Sequence, residues 1–374
     1  MLNNSELPND EIDGVYPLSS FTLIDQDHYE GNAVIKTKEG HYVIGGADKS
    51  RHAKLLKLDQ EYNIAWEQIY DENLIHTIQC VKELEETGFL AAGYSPYLRK
   101  AFAFKTDSKG EEIWFKKYGE GSNNNRVNDF IASSDEDYLL VGHTSTDYFS
   151  STELFLLKID HQGDAIWTKT HARERDAEYH SIVKINHDQF IVLGSDDSSF
   201  FIDKINEKGE ILSTKSYATE FSSPLDDRNM IKTNDGNLLL AITLSTEDWG
   251  TNSTIQLLKL NPDFEEIWSN KYNVEKDYSC KGVIESNDNS FLVVGSTTSY
   301  GNGFVDVLVL KIDAFGNEIW TKAYGGSAYD VATDVALKDD GGYIITGATK
   351  EGVNTNNDFF LFVLNIDRNG VPVF

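Results

Sequence analysis

Short apolar runs separated by polar, glycine-rich segments follow one another along the whole chain. Near the C-terminus, residues 329–337, 343–349 and 359–367 are apolar or alternate between apolar and polar positions. Asp-Asp-Gly-Gly separates the first two runs, and a segment rich in Asn, Gly and Thr separates the second from the third. Runs bounded by such turn residues predict β-strands. A further run at residues 318–324, seen in the preceding unit, makes four strands per unit.

A motif of the form KxDxxGxxxW, with Tyr four residues after the Trp, recurs about every 50 residues. The clearest copy is at residues 311–320, and Tyr324 follows it. The Trp position is occupied in turn by Trp66, Trp114, Trp167, Ser213, Trp268, Trp320 and Phe374. A period of this length indicates a solenoid, a propeller or another array. Because every unit contains strands only, the seven units predict an all-β, seven-bladed β-propeller of four-stranded antiparallel blades.

The turn inside the motif has a specific predicted geometry. An Asp followed three residues later by Gly suits a type I turn that is closed by a residue in the left-handed region. The Gly slot holds Gly110, Gly163, Gly209, Gly316 and Gly370, whereas Tyr62 and Phe264 depart from it. The acidic slot holds Asp59, Asp107, Asp160, Asp313 and Asp367, with Asn206 and Asn261 in the other two units. We therefore interpret these acids as structural.

The repeat predicts a single propeller domain over residues 15–374, preceded by a polar tether at residues 1–14. Phe374 falls on the Trp position, and residues 21–24 match the four residues that follow that Trp in other units. We therefore expect the N-terminal segment to complete the outer strand of the last blade, which closes the ring and removes an exposed edge. A monomer is expected.

Charge and composition exclude several classes of partner. The net charge of −28 argues against nucleic acid and anionic membranes, because both would be repelled. No apolar run is long enough to span a membrane. Cys80 and Cys280 fall on the first strands of well-separated units, so no disulfide is expected and both are predicted to be buried. So few cysteines fit either a reducing cytoplasm or a bacterial exterior.

The repeats also carry a family resemblance. Residues 311–350, with the segments KIDAFGNEIWTKAYGG and DGGYIITGAT, resemble the Trp-docking repeats of the quinoprotein-like superfamily. They resemble more closely the propeller repeats of secreted or lipid-anchored proteins of Bacteroidetes and archaea. The resemblance implies a lipoprotein or secreted protein at the cell surface or in the periplasm, with an adhesive or scaffolding role. The turn is one residue shorter than in the quinone enzymes, and no quinone-binding residue is carried over. Because the start of the chain lacks the features of a signal peptide, we expect a trimmed mature form.

Catalytic motifs are absent from the sequence. It contains no GxSxG, HExxH, CxxC or P-loop pattern. The histidines are scattered, and they are predicted to be polar surface residues in or near loops: His28, His52, His76, His171 and His180. No catalytic residue and no metal ligand set is therefore predicted.

Two kinds of residue lie outside the repeated motif, and arginine is the first. The chain has only seven arginines. Six fall in loops that propeller topology places on one face: Arg51, Arg99, Arg126, Arg173, Arg175 and Arg228. Tyr97, Tyr148 and Tyr300 fall in the same set of loops, whereas Arg368 belongs to the opposite face. This pattern predicts a recognition face for a carboxylate, a sulfate, an acidic glycan or a partner protein. The alternative is that arginine simply avoids strands and pairs with neighbouring acids.

Trp249 is the second exception, because it lies in a polar loop away from the Trp position of the repeat. It is predicted to be either a binding anchor or a cap over a neighbouring blade.

Polar residues are also expected along the axial channel. Aligning the first strands, with a one-residue gap in the second unit, places at one level Gln79, Asp129, Ser181, Asn229 and Asp334. These residues either line a hydrated channel, or Asp129 and Asp334 help to hold Ca²⁺, or the two acids are the remnant of a carboxylate pair.

Together these observations predict a non-catalytic recognition or scaffold propeller that binds a protein or an anionic ligand. One alternative is a lectin-like carbohydrate binder, which needs an exposed aromatic platform such as Trp249. Another is a glycoside hydrolase or lyase with carboxylates at the channel mouth, for which two carboxyl groups would have to converge in a cleft.

Overall fold

The structure is a computed structural model of the 374-residue chain. It describes residues 13–23, 30–48, 50–72, 74–85, 88–119, 123–133, 136–146, 151–197, 199–218, 230–245, 253–272, 277–350 and 359–374. None of these residues forms a helix that is long and apolar enough to cross a membrane.

The described residues form strands and one short 3₁₀ turn. The N-terminal segment contains β1 (Gly14–Pro17), the 3₁₀ turn (Leu18–Ser20) and β2 (Phe21–Leu23). Blades 1 to 3 contain β3 (Glu30–Lys36), β4 (Tyr42–Ala47), β5 (Ala53–Leu58), β6 (Ile64–Tyr70), β7 (Thr77–Glu83), β8 (Phe89–Ser95), β9 (Lys100–Thr106), β10 (Glu112–Tyr118), β11 (Asn124–Ala132), β12 (Tyr138–Ser145), β13 (Glu153–Ile159) and β14 (Ala165–His171). Blades 4 and 5 contain β15 (Ala177–Lys184), β16 (Gln189–Asp196), β17 (Ser199–Asn206), β18 (Ile211–Ala218), β19 (Met230–Lys232), β20 (Leu238–Ser245), β21 (Ser253–Leu260) and β22 (Glu266–Tyr272). Blades 6 and 7 contain β23 (Tyr278–Glu285), β24 (Phe291–Thr297), β25 (Asp306–Ile312), β26 (Glu318–Gly325), β27 (Asp330–Leu337), β28 (Tyr343–Thr349) and β29 (Phe360–Ile366).

The predicted seven-bladed propeller is confirmed. Each blade is an antiparallel sheet of four strands in chain order, and β2 supplies the fourth strand of blade 7. First strands of neighbouring blades contact each other around the ring, including β27 of blade 7 with β3 of blade 1. The first strands are therefore innermost, and apolar side chains from both faces of each blade fill the seams between blades.

The predicted turn geometry is present in all seven units. The Asp or Asn side chain accepts hydrogen bonds from the backbone N–H groups two and four residues later, for example from Phe315 and Asn317 to Asp313, both at 2.8 Å. The residue in the Gly slot has positive φ throughout, including Tyr62 at 65° and Phe264 at 67°. The motif acids are therefore structural, because their oxygens are used by their own turns.

Each docking Trp packs on the Gly of the next blade. A Cβ added to Gly110 would lie 2.8 Å from Trp66, and the same contact recurs for Gly316 with Trp268 and for Gly370 with Trp320. The Gly is thus required both by its positive φ and by the close approach of the indole ring.

The two units without Gly show how this contact can be exchanged. Phe264 stands in the Gly slot facing Ser213, the unit that lacks Trp, and Phe264 is 5% exposed. Tyr62 stands in the slot facing blade 7, where Phe374 is 95% exposed and does not dock. At both seams an aromatic residue in the slot of one blade replaces the aromatic residue missing from its neighbour.

The chain ends close the ring as predicted, with one addition. Phe21 pairs with Leu364 of β29, the register that the first residue after a docking Trp has in other blades. Pro372 forms a bridge to Ile366 on the same strand, so both ends of the chain share the outer position of blade 7. In addition, β1 pairs in parallel with β26 of blade 6, and Tyr16 stacks on Tyr324 with the ring centroids 5.1 Å apart. The sequence analysis did not predict this fifth strand, whose first residue, Gly14, falls within the segment predicted as tether.

Candidate functional site

Backbone hydrogen bonds place two kinds of loop on one face of the propeller. In each case a loop between the second and third strands of a blade accepts a bond from the connection to the next blade. The His76 N–H donates to the Arg51 carbonyl at 2.8 Å, and the Asn125 N–H donates to the Arg99 carbonyl at 3.1 Å. The Ala177 N–H donates in the same way to Thr152 at 3.2 Å. These bonds show that the two loop types meet at the seams between blades.

The arginines of this face follow three consecutive seams, from blade 1 to blade 4. We call Arg51, Arg99, Arg126, Arg173 and Arg175 the arginine rim. Arg51 and Arg175 are exposed, whereas the other three are half-buried. Four other predicted site residues lie outside the described residues: Tyr148, Arg228, Asn229 and Trp249.

The Arg126 side chain of the rim stacks on an aromatic ring. Its guanidinium lies over the ring of Tyr94, 4.3 Å from the centroid. Its Nε is buried and makes no hydrogen bond to the described residues. Stacking fixes the plane of a guanidinium without using its donors. The side chain is therefore held in position with hydrogen-bonding capacity to spare.

A cluster of polar side chains lies beside Arg126 on the first and second strands of blades 3 and 4. His143 Nδ1 lies 3.1 Å from Glu178 Oε2 across the seam. His180 Nε2 and Ser195 Oγ are 2.7 Å apart, and both residues are buried. We call Arg126, His143, Glu178, His180 and Ser195 the channel-mouth cluster. The prediction that His180 is a surface residue is wrong, because it occupies the bulge of β15 and its side chain turns into the blade.

His76 was also predicted to be exposed, and it too is fully buried. It contacts the rings of Phe102 and Phe115, and its Nε2 lies 2.9 Å from Asp71 Oδ2. Burial lowers the pKa of His76 despite this acidic neighbour. The sequence from Asp71 to His76 predicts an exposed loop, because the rings that bury His76, Phe102 and Phe115, belong to later strands of blade 2.

The carboxyl of Glu178 interacts with three other members of the channel-mouth cluster: His143, His180 and Arg126. Burial alone would raise the pKa of its carboxyl, but the contact with His143 and the nearby His180 and Arg126 outweigh burial and lower the pKa from 4.5 to about 2. The carboxylate is therefore ionised over the physiological range and ties blade 4 to blade 3. A carboxyl with a lowered pKa is poorly suited to act as a general acid, which needs a raised pKa.

The lowered pKa predicts how stability depends on pH. Because the folded pKa is below the unfolded value of 4.5, the contribution of Glu178 is complete above that pH and is lost as the pH falls toward the folded pKa. We expect Glu178→Gln to lower the free energy of unfolding by about 1 kcal/mol near neutral pH, a value limited by solvent screening. Urea unfolding of both proteins should show this difference shrinking below about pH 4.5. A difference that stays constant down to about pH 3 would contradict the assignment.

Arg173 is held by a buried network in blade 4. Its Nη2 donates to Asp203 Oδ1 at 3.1 Å and to Oδ2 at 3.0 Å, and Asp203 is fully buried. The hydroxyls of Tyr179 and Thr214 also donate to Asp203. Burial and the Asp203 carboxylate raise the pKa of Tyr179 well above its ordinary value, so the phenol stays a donor. We call Arg173, Tyr179, Asp203 and Thr214 the blade 4 network.

The blade 4 network replaces apolar residues of the repeat. Asp203 precedes the residue opposite the Trp position, and in the other blades this position holds Leu56, Phe104, Leu157, Leu258, Leu310 and Leu364. Tyr179 stands opposite Gly194, where the other described blades hold Gly31, Ile78, Val127, Cys280 and Ala332. The sequence contained this signal, an Asp in a strand position that is otherwise Leu or Phe, but it was not recognised.

Arg173 also lines a surface depression of about 590 Å³. The other residues around it are Ala172, Glu174, Arg175 and Asp196. Asp196 follows Ser195 on β16 and pairs with Ala177, one position from the Glu178 and Ser195 pair. The depression and the channel-mouth cluster therefore adjoin each other on the same face.

The strand register corrects the predicted alignment of the channel. Cys80, and not its predecessor Gln79, shares the level of Asp129, Ser181 and Asp334. The predicted one-residue gap is not needed, because every first strand with a described partner at this point carries a bulge and Gln79 is a bulged residue. An alternation pattern cannot locate such a bulge.

Asp129 and Asp334 brace neighbouring blades. Asp129 Oδ2 accepts the Ile182 N–H of blade 4 at 3.1 Å, and its Oδ1 lies 3.0 Å from Lys82 Nζ of blade 2. Asp334 Oδ2 accepts the Val34 N–H across the closure of the ring at 2.8 Å. Their oxygens are thus used by N–H donors. Among the described residues no group of three or more His, Cys, Asp or Glu side chains is arranged to hold a metal ion.

The aromatic residues of the face differ in accessibility. Tyr97 is 74% exposed at the tip of a blade 2 loop, whereas Tyr300 is half-buried and stacks on Tyr278. An exposed pair was not predicted: Phe304, 71% exposed, stacks on Tyr329 with centroids 5.8 Å apart. Phe304 is flanked by Gly, Asn and Gly, and this isolated aromatic in a polar loop was the available sequence signal.

Comparisons with known proteins show the fold. No family model and no curated protein matches the chain. The WD40 domain of Neurospora crassa Pan2 is 10% identical, with a TM-score of 0.57 and 95% of each chain covered. Drosophila Plexin A, solved in complex with Semaphorin 1b, is 6% identical with a TM-score of 0.56, and the match covers 95% of this chain and 88% of that one. A puromycin hydrolase is 10% identical with a TM-score of 0.58, and the match covers 93% of this chain but 53% of the hydrolase. At these identities the likeness establishes a β-propeller and leaves the function to be argued from the site.

Proposed function

We propose that this propeller is a non-catalytic recognition module that binds an anionic ligand, or an acidic partner surface, through the arginine rim. The observation that carries the proposal is Arg126, whose guanidinium is fixed over Tyr94 at 4.3 Å while its buried Nε makes no hydrogen bond to the described residues. A donor left in this state costs stability unless a ligand uses it.

The charge distribution supports the same proposal. The chain carries 61 acidic and 33 basic side chains, so a random loop face would be strongly acidic. Arginines at three successive seams place guanidinium groups on this face, and guanidinium groups suit carboxylate and sulfate ligands. The acidic remainder of the molecule repels polyanions in general, which favours a ligand that reaches the rim specifically.

The chemistry of the channel-mouth cluster favours binding over catalysis. Glu178 contacts His143 and has a lowered pKa, and Ser195, although hydrogen-bonded to His180, is only 6% exposed. A nucleophile needs access to its substrate, and a glycosidase acid needs a raised pKa. The repeat resemblance further supports a role at the bacterial cell surface or in the periplasm, where an adhesive or scaffolding propeller would meet acidic glycans and proteins.

A binding experiment with a double variant tests the proposal. We expect the wild-type protein to bind at least one sulfated or carboxylated glycan on an array, in a salt-dependent manner. Arg51→Ala combined with Arg126→Ala should weaken that binding at least about tenfold, because two charged contacts are lost. Arg368→Ala, on the opposite face, is the matched control and should bind like the wild type. Equal binding by the double variant and the control would refute the role of the rim.

A further inference from the structure

From the blade 4 network we infer that the depression beside Arg173 binds a ligand carrying a single carboxylate, with the Arg173 guanidinium as its recognition group. The inference rests on the proposed function, since it names one binding site on the arginine rim and the chemical group that this site binds.

The first argument is that the blade 4 network has the construction of a binding site. A buried carboxylate is costly, and replacing a buried ion pair with apolar residues often leaves stability unchanged or higher. The other six blades carry an apolar residue, Leu or Phe, at the position of Asp203. Departures from a local rule are expected at functional or strained positions, and blade 4 departs from the pattern that the other blades share.

The second argument is the state of the Arg173 side chain. Its Cζ lies 3.3 Å from the centroid of Phe201, and one nitrogen, Nη2, makes both bonds to Asp203. Among the described residues, Nε and Nη1 make no hydrogen bond, and the residue lines the depression. Because ring stacking and a buried acid fix its plane, this guanidinium can meet a ligand at little entropic cost. Nη1 keeps donors that Asp203 does not use, and a hydrogen bond from a guanidinium to a carboxylate oxygen is charge-assisted.

The third argument concerns the charge of the ligand. Two arginines and two acids surround the depression, namely Arg173, Arg175, Glu174 and Asp196. Asp196 Oδ2 accepts the Ser199 hydroxyl at 2.9 Å. A dianion such as sulfate would meet stronger repulsion from the two acids than a monocarboxylate, whose hydroxyl or ammonium neighbours could face those acids. A volume of about 590 Å³ is in the range of small-molecule sites.

Two sources supply this chemistry, a sugar acid and an amino acid. Calorimetric titration with D-glucuronate and with L-alanine distinguishes them, and D-glucose and sulfate test the need for one carboxylate. We expect one or both carboxylates to bind, and neither glucose nor sulfate. Arg173→Lys should weaken that binding at least about tenfold, because one ammonium cannot stack on Phe201, bond Asp203 and still present a fixed donor to the ligand. Arg368→Ala is the control and should bind like the wild type.

A repacked variant keeps the test independent of folding. The combination of Arg173→Met, Asp203→Leu and Tyr179→Phe removes the ion pair together with the buried phenol hydroxyl that donates to it, so it should fold with an unchanged or higher unfolding midpoint and lose carboxylate binding. Full binding by this variant, or no binding of either carboxylate to the wild type, overturns the inference.

The two proposals fail in different ways. If acidic glycans bind through Arg51 and Arg126 while neither monocarboxylate binds, the depression is not a carboxylate site and the proposed function stands. If the monocarboxylates bind through Arg173 while the array shows no dependence on Arg51 and Arg126, the binding site stands and the wider rim is not a recognition surface.

Discussion

Replacing Arg173 with Met is expected to lower the free energy of unfolding by about 3–5 kcal/mol, because it leaves the fully buried Asp203 carboxylate without its cation. The Tyr179 and Thr214 hydroxyls would still donate to Asp203, but two neutral hydrogen bonds do not replace a guanidinium. Guanidinium chloride unfolding followed by tryptophan fluorescence measures the change. The effect should exceed that of Arg175→Met, since Arg175 is exposed on the same loop.

The decisive comparison is with the double variant. If the cost of Arg173→Met comes from a stranded charge, Asp203→Leu added to it should recover most of the lost stability, even though the ion pair is not restored. If instead Arg173 stabilises the fold mainly by packing on Phe201, the double variant should be as unstable as the single one. That result would also weaken the argument that blade 4 retains the ion pair for ligand binding.

Features set by neighbouring residues in sequence were predicted well. The seven turns depend on an Asp or Asn and a left-handed residue three positions later, and the structure has this geometry even at Tyr62 and Phe264. The blade count, the strand order and the closing strand at residues 21–23 follow from the same period. Local hydrogen bonding and periodic burial depend on residues that are close together in the chain. A single sequence is therefore enough to predict them.

Features that depend on partners in other blades were not predicted. Asp203 and Arg173 are 30 residues apart, and only the packing of a loop against a strand brings them together. The bulge in β7 leaves Gln79 unpaired, so Cys80 occupies the channel level at which Gln79 was predicted. His180 was predicted to lie in or near a loop, but it is the bulged residue of β15 and its ring contacts Ser195. The added strand β1 pairs with residues more than 300 positions away, and no local pattern encodes that pairing.

The same contrast separates the scaffold from the site. Residues common to all units serve turns and seams, as the Trp and Gly contacts show. Arg126 and Arg173 both have donors that make no hydrogen bond to the described residues. Arg126 belongs to the arginine rim, and Arg173 belongs to the blade 4 network, where that blade departs from the repeat. A search for function in this fold is therefore best directed at the seams of blades 3 and 4.

The interblade Trp contact yields the second large prediction. Trp320 is 8% exposed and packs on Gly370, so Trp320→Ser is expected to lower the free energy of unfolding by about 3–5 kcal/mol. Gly370→Phe alone should also destabilise the protein, because a Cβ there already lies 2.8 Å from the Trp320 ring. The two changes together copy the Ser213 and Phe264 seam, where the aromatic ring comes from the opposite blade and is 5% exposed.

The double variant should therefore be more stable than Trp320→Ser by at least about 1 kcal/mol, although each change alone is harmful. Phe264 at a φ of 67° shows that a phenylalanine can occupy the left-handed slot, so backbone strain does not forbid the exchange. Denaturant unfolding of the four proteins of this cycle gives the coupling energy directly. Additive losses would mean that the seam between blades 6 and 7 cannot accept the ring from the opposite blade, unlike the seams at Phe264 and Tyr62. A favourable coupling would establish that each seam needs one aromatic ring and accepts it from either side.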